Sequence, residues 1–143
     1  MLLKYGADGA TLFERAIESE DGDDIVENFE MLLKNDVEAN VKHIQLGITP
    51  LHNAIDLDDI NIELVNLLIR FGADVNTKDF DLETPLHHAF DSRVRDFKLL
   101  KVLMQNGANP NLKNEVDEST IEKTFKYKST KYFKAILYNQ IYL

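Results

Sequence analysis

The chain has 143 residues, 44% hydrophobic and 29% charged, which is enough for one domain with a buried core. It has no cysteine, which excludes a disulfide framework and any thiolate metal or redox centre, and charges break its apolar runs too often for a membrane span. The net charge of −9 is unevenly distributed: residues 1–40 hold eleven acids against three bases, while residues 119–143 hold five lysines against one acid. That balance disfavours nucleic acid and anionic lipid as partners and suits a partner with a basic surface.

In chain order, LLKYGAD at 2–8 reads as the end of a helix from an earlier structural unit, either a cap or the remnant of a longer chain. Its apolar run is too short for a secretory signal, so cytoplasm is the expected location, or a host-cell interior if the protein is delivered there. TLFERAI at 11–17 places apolar side chains on one helical face, and 24–34 reads as the second helix of the same unit. Between them runs the acidic ESEDGDDIVE at 18–27. A calcium loop needs an oxygen ligand at its fifth position and glycine at its sixth; counted from Asp21 these are Ile25 and Val26, so the motif fails. The run is expected to be an acidic turn that partly caps the second helix, with an acidic contact patch as the alternative. NDVEAN at 35–40 closes this first unit, about 11–42.

The next two units are the clearest. TPLHNAI at 49–55 recurs as TPLHHAF at 84–90, 35 positions later. Thr49 and Thr84 sit where a helix N-cap belongs, with Pro50 and Pro85 at the first helical position, where proline loses no backbone hydrogen bond. A strongly apolar helix follows in each, built on Ile62, Leu64, Val65, Leu67, Leu68 and Ile69 and on Phe97, Leu99, Leu100, Val102, Leu103 and Met104. Helices this apolar must be covered on several sides. Gly72 and Gly107 then stop them in the left-handed conformation, opening the near-copies GADVN at 72–76 and GANPN at 107–111. The segments 77–83 and 113–118 remain as short projecting fingers, expected to resemble β-hairpins. STIEKTF at 119–125 and a lysine- and aromatic-rich helix from about 130 to 142 form a loose fourth unit.

A period in the low thirties with this grammar marks a repeat solenoid. TPLHNAI, TPLHHAF, LLIRFGADVN and VLMQNGANPN together resemble the ankyrin repeat. The resemblance implies an all-α solenoid of about four repeats, at 11–42, 49–78, 84–113 and 119–143, in a single domain spanning 1–143 whose end repeats act as caps. The departures are local. Each central unit carries two extra residues between its helices, DLDDIN and DSRVRD. The finger glycine kept at Gly47 is replaced by Leu82 and Asp117. The resemblance also implies that His52 and His87 make structural hydrogen bonds to neighbouring repeats.

No nucleophile–base arrangement, phosphate loop or paired-carboxylate pocket is visible, and the adjacent His87 and His88 do not face one another as metal ligands would, so no enzyme, cofactor or metal is expected. The resemblance instead implies binding of another protein through a concave groove and finger tips. The candidate contacts are Ile44, Phe80 and Asp81 on the fingers, and Asn53, Asp56, His88 and Asp91 on the first helices, with Arg15 and Lys123 on the same groove side. The C-terminal unit holds six of the thirteen aromatic side chains; a nucleic-acid surface is one reading, closure of the open end of the array the favoured one. The expectation is a monomeric cytoplasmic binding module, an inhibitor or immunity-type protein that masks a basic partner. A scaffold, or a host-directed effector fragment of a longer microbial or viral protein, is the alternative.

Overall fold

The computed structural model describes residues 8–19, 24–92 and 95–141. Most of the LLKYGAD segment, residues 20–23 of the acidic run, residues 93–94 of DSRVRD and Tyr142 lie outside the described residues. Eight helices are present among those described: α1 (Gly9–Glu18), α2 (Ile25–Lys34), α3 (Pro50–Asp56), α4 (Ile62–Arg70), α5 (Pro85–Asp91), α6 (Phe97–Gln105), α7 (Thr120–Lys126) and α8 (Thr130–Ile141). They form four consecutive pairs in an all-α fold, as the repeat grammar requires.

The helix starts follow from short polar side chains that satisfy orphan backbone donors. Asp24 accepts from Val26 N–H at 2.9 Å, Asn61 from Glu63 and Leu64 N–H, and Asp96 from Lys98 and Leu99 N–H. The first helix begins two residues before Thr11, because Asp8 takes the Thr11 N–H at 2.8 Å and serves as its cap. In α3 and α5 the reciprocal cap uses histidine: His52 Nδ1 accepts from Thr49 N–H, and His87 Nδ1 from Thr84 N–H, both at 3.1 Å. Ser119 and Glu122 form the same reciprocal cap on α7.

The chain divides into two compact units, the boundary falling between Asp74 and Val75 in sequence. In the first, α1 packs on α2 and α3, α2 on α4, and α3 on α4. The Phe13 and Phe29 rings meet at a 49° tilt with centroids 4.8 Å apart and no exposure. Leu51, Ala54, Ile55, Leu64, Val65 and Leu68 fill the rest of this core at 0% exposure. Gly9 fits because a Cβ there would come within 3.1 Å of Val37 Cγ1.

In the second unit, α5 packs on α6 and α7, and α8 on α6 and α7. Leu86, Phe90, Leu99, Leu100, Leu103 and Ile136 are fully buried. Tyr132 meets Phe90 edge-on at 5.1 Å and Phe97 at 5.8 Å. Its hydroxyl is buried without a hydrogen-bond partner among the described residues, and burial pushes that phenol well above its ordinary value. Three of the other C-terminal aromatics, Phe125, Tyr127 and Tyr138, stay exposed.

The second helices of the first three pairs end alike. Val37, Ala73 and Ala108 N–H donate to Leu32, Leu68 and Leu103 carbonyls, the six-to-one bond of a Schellman stop. The left-handed residue this needs is Gly72 (φ 91°) and Gly107 (φ 89°), and in the first repeat Asp36 (φ 64°). The fingers differ from the hairpin expectation. They are tight turns with no strand ladder, and the described residues contain one isolated antiparallel bridge, Lys113 to Ser119. Their left-handed corner is Gly47 (φ 67°), Leu82 (φ 57°) and Asp117 (φ 61°), so the corner persists where glycine is lost.

Candidate functional site

Two finger turns and the helices beside them build a cleft in the second unit. Asp79 opens one finger. Its backbone N–H donates to Glu83 O at 3.0 Å, and its Oδ1 accepts from Asp81 and Glu83 N–H, both at 2.9 Å. Asn114 does the same for the next finger, taking Val116 and Glu118 N–H on its Oδ1. A side-chain acceptor at this place closes the turn on itself. The two fingers are joined by Glu115 N–H to Asp81 O at 2.9 Å and by Lys78 Nζ to Lys113 O at 2.6 Å.

The remaining oxygen of Asp79 lies 2.9 Å from His88 Nε2, so the finger is tied to α5. His87 extends the tie in the other direction, with Nε2 3.1 Å from Glu118 O. Since Nδ1 of His87 accepts from Thr84 N–H, the Nε2 hydrogen is the one donated, which requires the neutral ring. Burial is the main reason its pKa lies below the ordinary imidazole value, against the raising influence of the Glu118 carbonyl.

Lys123 on α7 is the hub of the cleft. Its side chain is 7% exposed, and its ammonium bonds Asp91 and, at 3.2 Å, Glu83. Glu83 also accepts from Asn114 Nδ2 at 3.1 Å. Burial disfavours the charge on Lys123, but the Asp91 hydrogen bond and the two carboxylates outweigh it and hold the pKa above the ordinary lysine value. For Glu83, burial is likewise outweighed by Asn114 and Lys123, and its pKa is lowered. Around this hub opens a cleft of about 410 Å³, lined by Asp81, Glu83, Asp91, Glu115 and Glu118 with Lys123, Lys126 and Tyr127. Lys126 is engaged by Glu118 at 2.8 Å.

The candidates from sequence fall in both units. In the second, Asp81 and Asp91 share the cleft; Asp91 is ion-paired and Asp81 is exposed. Phe80 lies 59% exposed on its finger, while His88 is held by Asp79 with its side chain 14% exposed. In the first, Ile44 is 79% exposed on its finger, Asn53 is half-buried on α3, and Asp56 is exposed at the end of that helix. Arg15 is exposed on α1. Lys123 departs from its expected place on the open groove side: it is buried, because two carboxylates and α7 packing enclose it.

Sequence reasoning missed Glu83, Asn114 and Val116, the last 67% exposed at a finger tip. The 35-residue alignment of Asp79 with Asn114 carried the signal for the finger closures. Nothing local marked Lys123, whose partners lie 32 and 40 residues away.

Consecutive helix pairs joined by short turns, with an ion-laced cleft between first helices and fingers in the second unit, have the architecture of a helical repeat protein. A sequence profile for ankyrin repeats in three copies matches residues 13–114, and the chain belongs to the ankyrin-repeat family. Members of that family are generally non-enzymatic modules for protein–protein interaction. A comparison with curated proteins gave no match. Among the described residues, no helix is long and apolar enough to cross a membrane.

Proposed function

We propose that this protein binds and masks the basic surface of a partner protein, with the second-unit cleft and its fingers as the principal contact. The observation that carries the reading is the presence of Phe80 and Val116, 59% and 67% exposed, on the fingers of a cleft whose lining carries five carboxylates against two lysines. An aromatic side chain on a projecting turn is an apolar anchor at little conformational cost, and the acidic lining steers a basic partner toward it. Asp81 and Glu115, which enter no ion pair among the described residues, supply the net charge at the cleft beside the Asp91–Lys123 pair, and Ile44 with Asp56 and Asn53 provides a further contact region on the first unit. His88 contributes by holding the Phe80 finger through Asp79.

Affinity capture from the source cell with wild type, Phe80→Ala and Asp81→Lys baits, read by mass spectrometry and then by titration with the captured protein, tests the reading. The expected result is one stoichiometric basic partner, bound at least about tenfold more weakly by either variant. Because Phe80 is exposed, Phe80→Ala should leave stability within about 0.5 kcal/mol of wild type. A partner indifferent to both substitutions, or an acidic one, overturns the proposal.

A further inference from the structure

The turn between α3 and α4 carries a second surface, in the first unit and independent of the cleft described above. Residues 57–61 form the enlarged connection, and with Ile25 from α2 and Glu63 from α4 they line an open cleft of about 780 Å³. Its floor includes Ile25, Leu57 and Ile60, all left half-exposed, and its rim is Asp58, Asp59 and Glu63, all exposed. No basic side chain lines it. The three carboxylates make no ion pair among the described residues, and Asn61 occupies the first amides of α4 by accepting from Glu63 and Leu64 N–H.

The extra residues of the turn do not by themselves require such a cleft. In the following repeat Arg95 stands where Ile60 stands here. It folds back to donate Nε–H to Phe90 O at 3.2 Å and lies over the Phe90 ring at 4.7 Å. There a cation of the turn itself lies against the repeat's core, over Phe90, whose counterpart Ile55 is also fully buried; the turn at 57–61 holds no cation and leaves Leu57 and Ile60 partly exposed beside three carboxylates. A cation and an apolar face supplied by another molecule would meet the three carboxylates and the partly exposed Leu57 and Ile60 of this turn.

We infer that this cleft docks a basic amphipathic segment of a protein partner, its apolar side chains on Ile60 and Leu57 and its lysine or arginine side chains on Asp58, Asp59 and Glu63. The breadth and openness of the cleft fit a turn or two of peptide rather than an enclosed small molecule.

The test is fluorescence anisotropy with a labelled peptide of about 14 residues carrying leucine and lysine at helical spacing, beside a permuted peptide of the same composition. The proteins compared are wild type, Asp58→Lys/Asp59→Lys, Ile60→Ser and, as an exposed acid outside both clefts, Glu38→Lys, each checked by circular dichroism for native helix content. The expected result is preference for the patterned peptide, weakened at least about tenfold by the charge reversals and about threefold or more by Ile60→Ser, and unchanged by Glu38→Lys. Equal binding of the permuted peptide, binding indifferent to the charge reversals, or a loss in Glu38→Lys as large as theirs overturns the inference. Sedimentation of the wild type decides a further outcome: concentration-dependent self-association abolished by Ile60→Ser would make a second copy the occupant and also overturn it.

Discussion

Lys123 shows how a side chain with no local signature becomes a structural centre. It sits mid-helix in a lysine-bearing stretch that reads as solvated surface, yet it is 6% exposed and bridges Asp91 of α5 to Glu83 of the preceding finger. Removing one partner from a buried ion pair costs more than the pair contributes, because the remaining charges keep their desolvation penalty. Both carboxylates here retain some access to water, which moderates the cost. Lys123→Met should therefore destabilise the protein by about 1–3 kcal/mol, measured by urea unfolding. A change below about 0.5 kcal/mol would place Lys123 among ordinary surface lysines. The same logic separates His87 from His88. The first is fully buried and bonded at both ring nitrogens, and the second anchors a finger through Asp79 with its side chain 14% exposed.

At the scale of the element, the second helices carry the core. Leu68 of α4 and Leu103 of α6 are each 0% exposed, and each also offers its carbonyl to the six-to-one bond that ends its helix. Truncation to alanine keeps that backbone bond and leaves a cavity, so Leu68→Ala and Leu103→Ala should each cost about 2–5 kcal/mol by denaturant unfolding. A cost under about 1 kcal/mol for either would remove it from the packed interior. These positions were legible in sequence because a helix of period 3.6 with apolar residues on most sides has to be enclosed. The finger corners were not. Leucine and aspartate hold the left-handed conformation at Leu82 and Asp117, a strain of about 1–2 kcal/mol each. Asp79 and Asn114, closing each turn from its first residue, over-determine the backbone there.

For the whole molecule, the shifted groups set how stability follows pH. His87 has its folded pKa below the unfolded value of 6.5, so the unfolded chain binds more protons between the two. Its contribution is complete above about pH 6.5 and is lost as pH falls through the folded value. Glu83 behaves likewise from 4.5 downward. Lys123, raised above 10.5, contributes fully below that value and loses its contribution as pH rises through the folded one. Unfolding free energy should fall on acidification in two stages, with a slope of at most about 1.4 kcal/mol per pH unit from His87 in the first. His87→Gln, less stable at neutral pH, should flatten that first stage when denaturation midpoints are followed from neutral pH downward. An unchanged slope would assign the stage to another group.

The repeat period, the four helix pairs, the caps at Thr49 and Thr84 and the apolar faces of α4 and α6 all follow from the sequence by itself. Each depends on residues within one or two helical turns, where spacing and propensity decide the outcome. The exposure of Ile44 and Phe80 was legible for the same reason, as apolar side chains set in short polar turns. The burial of Lys123, the His88–Asp79 tie, the joining of two fingers through Glu115 and Asp81, and the open cleft at 57–61 were decided only by tertiary structure. The Lys123 partners and the finger-to-finger bond come from a neighbouring repeat some 30 to 40 residues away, and whether a charged side chain is enclosed or solvated depends on which neighbours that packing delivers.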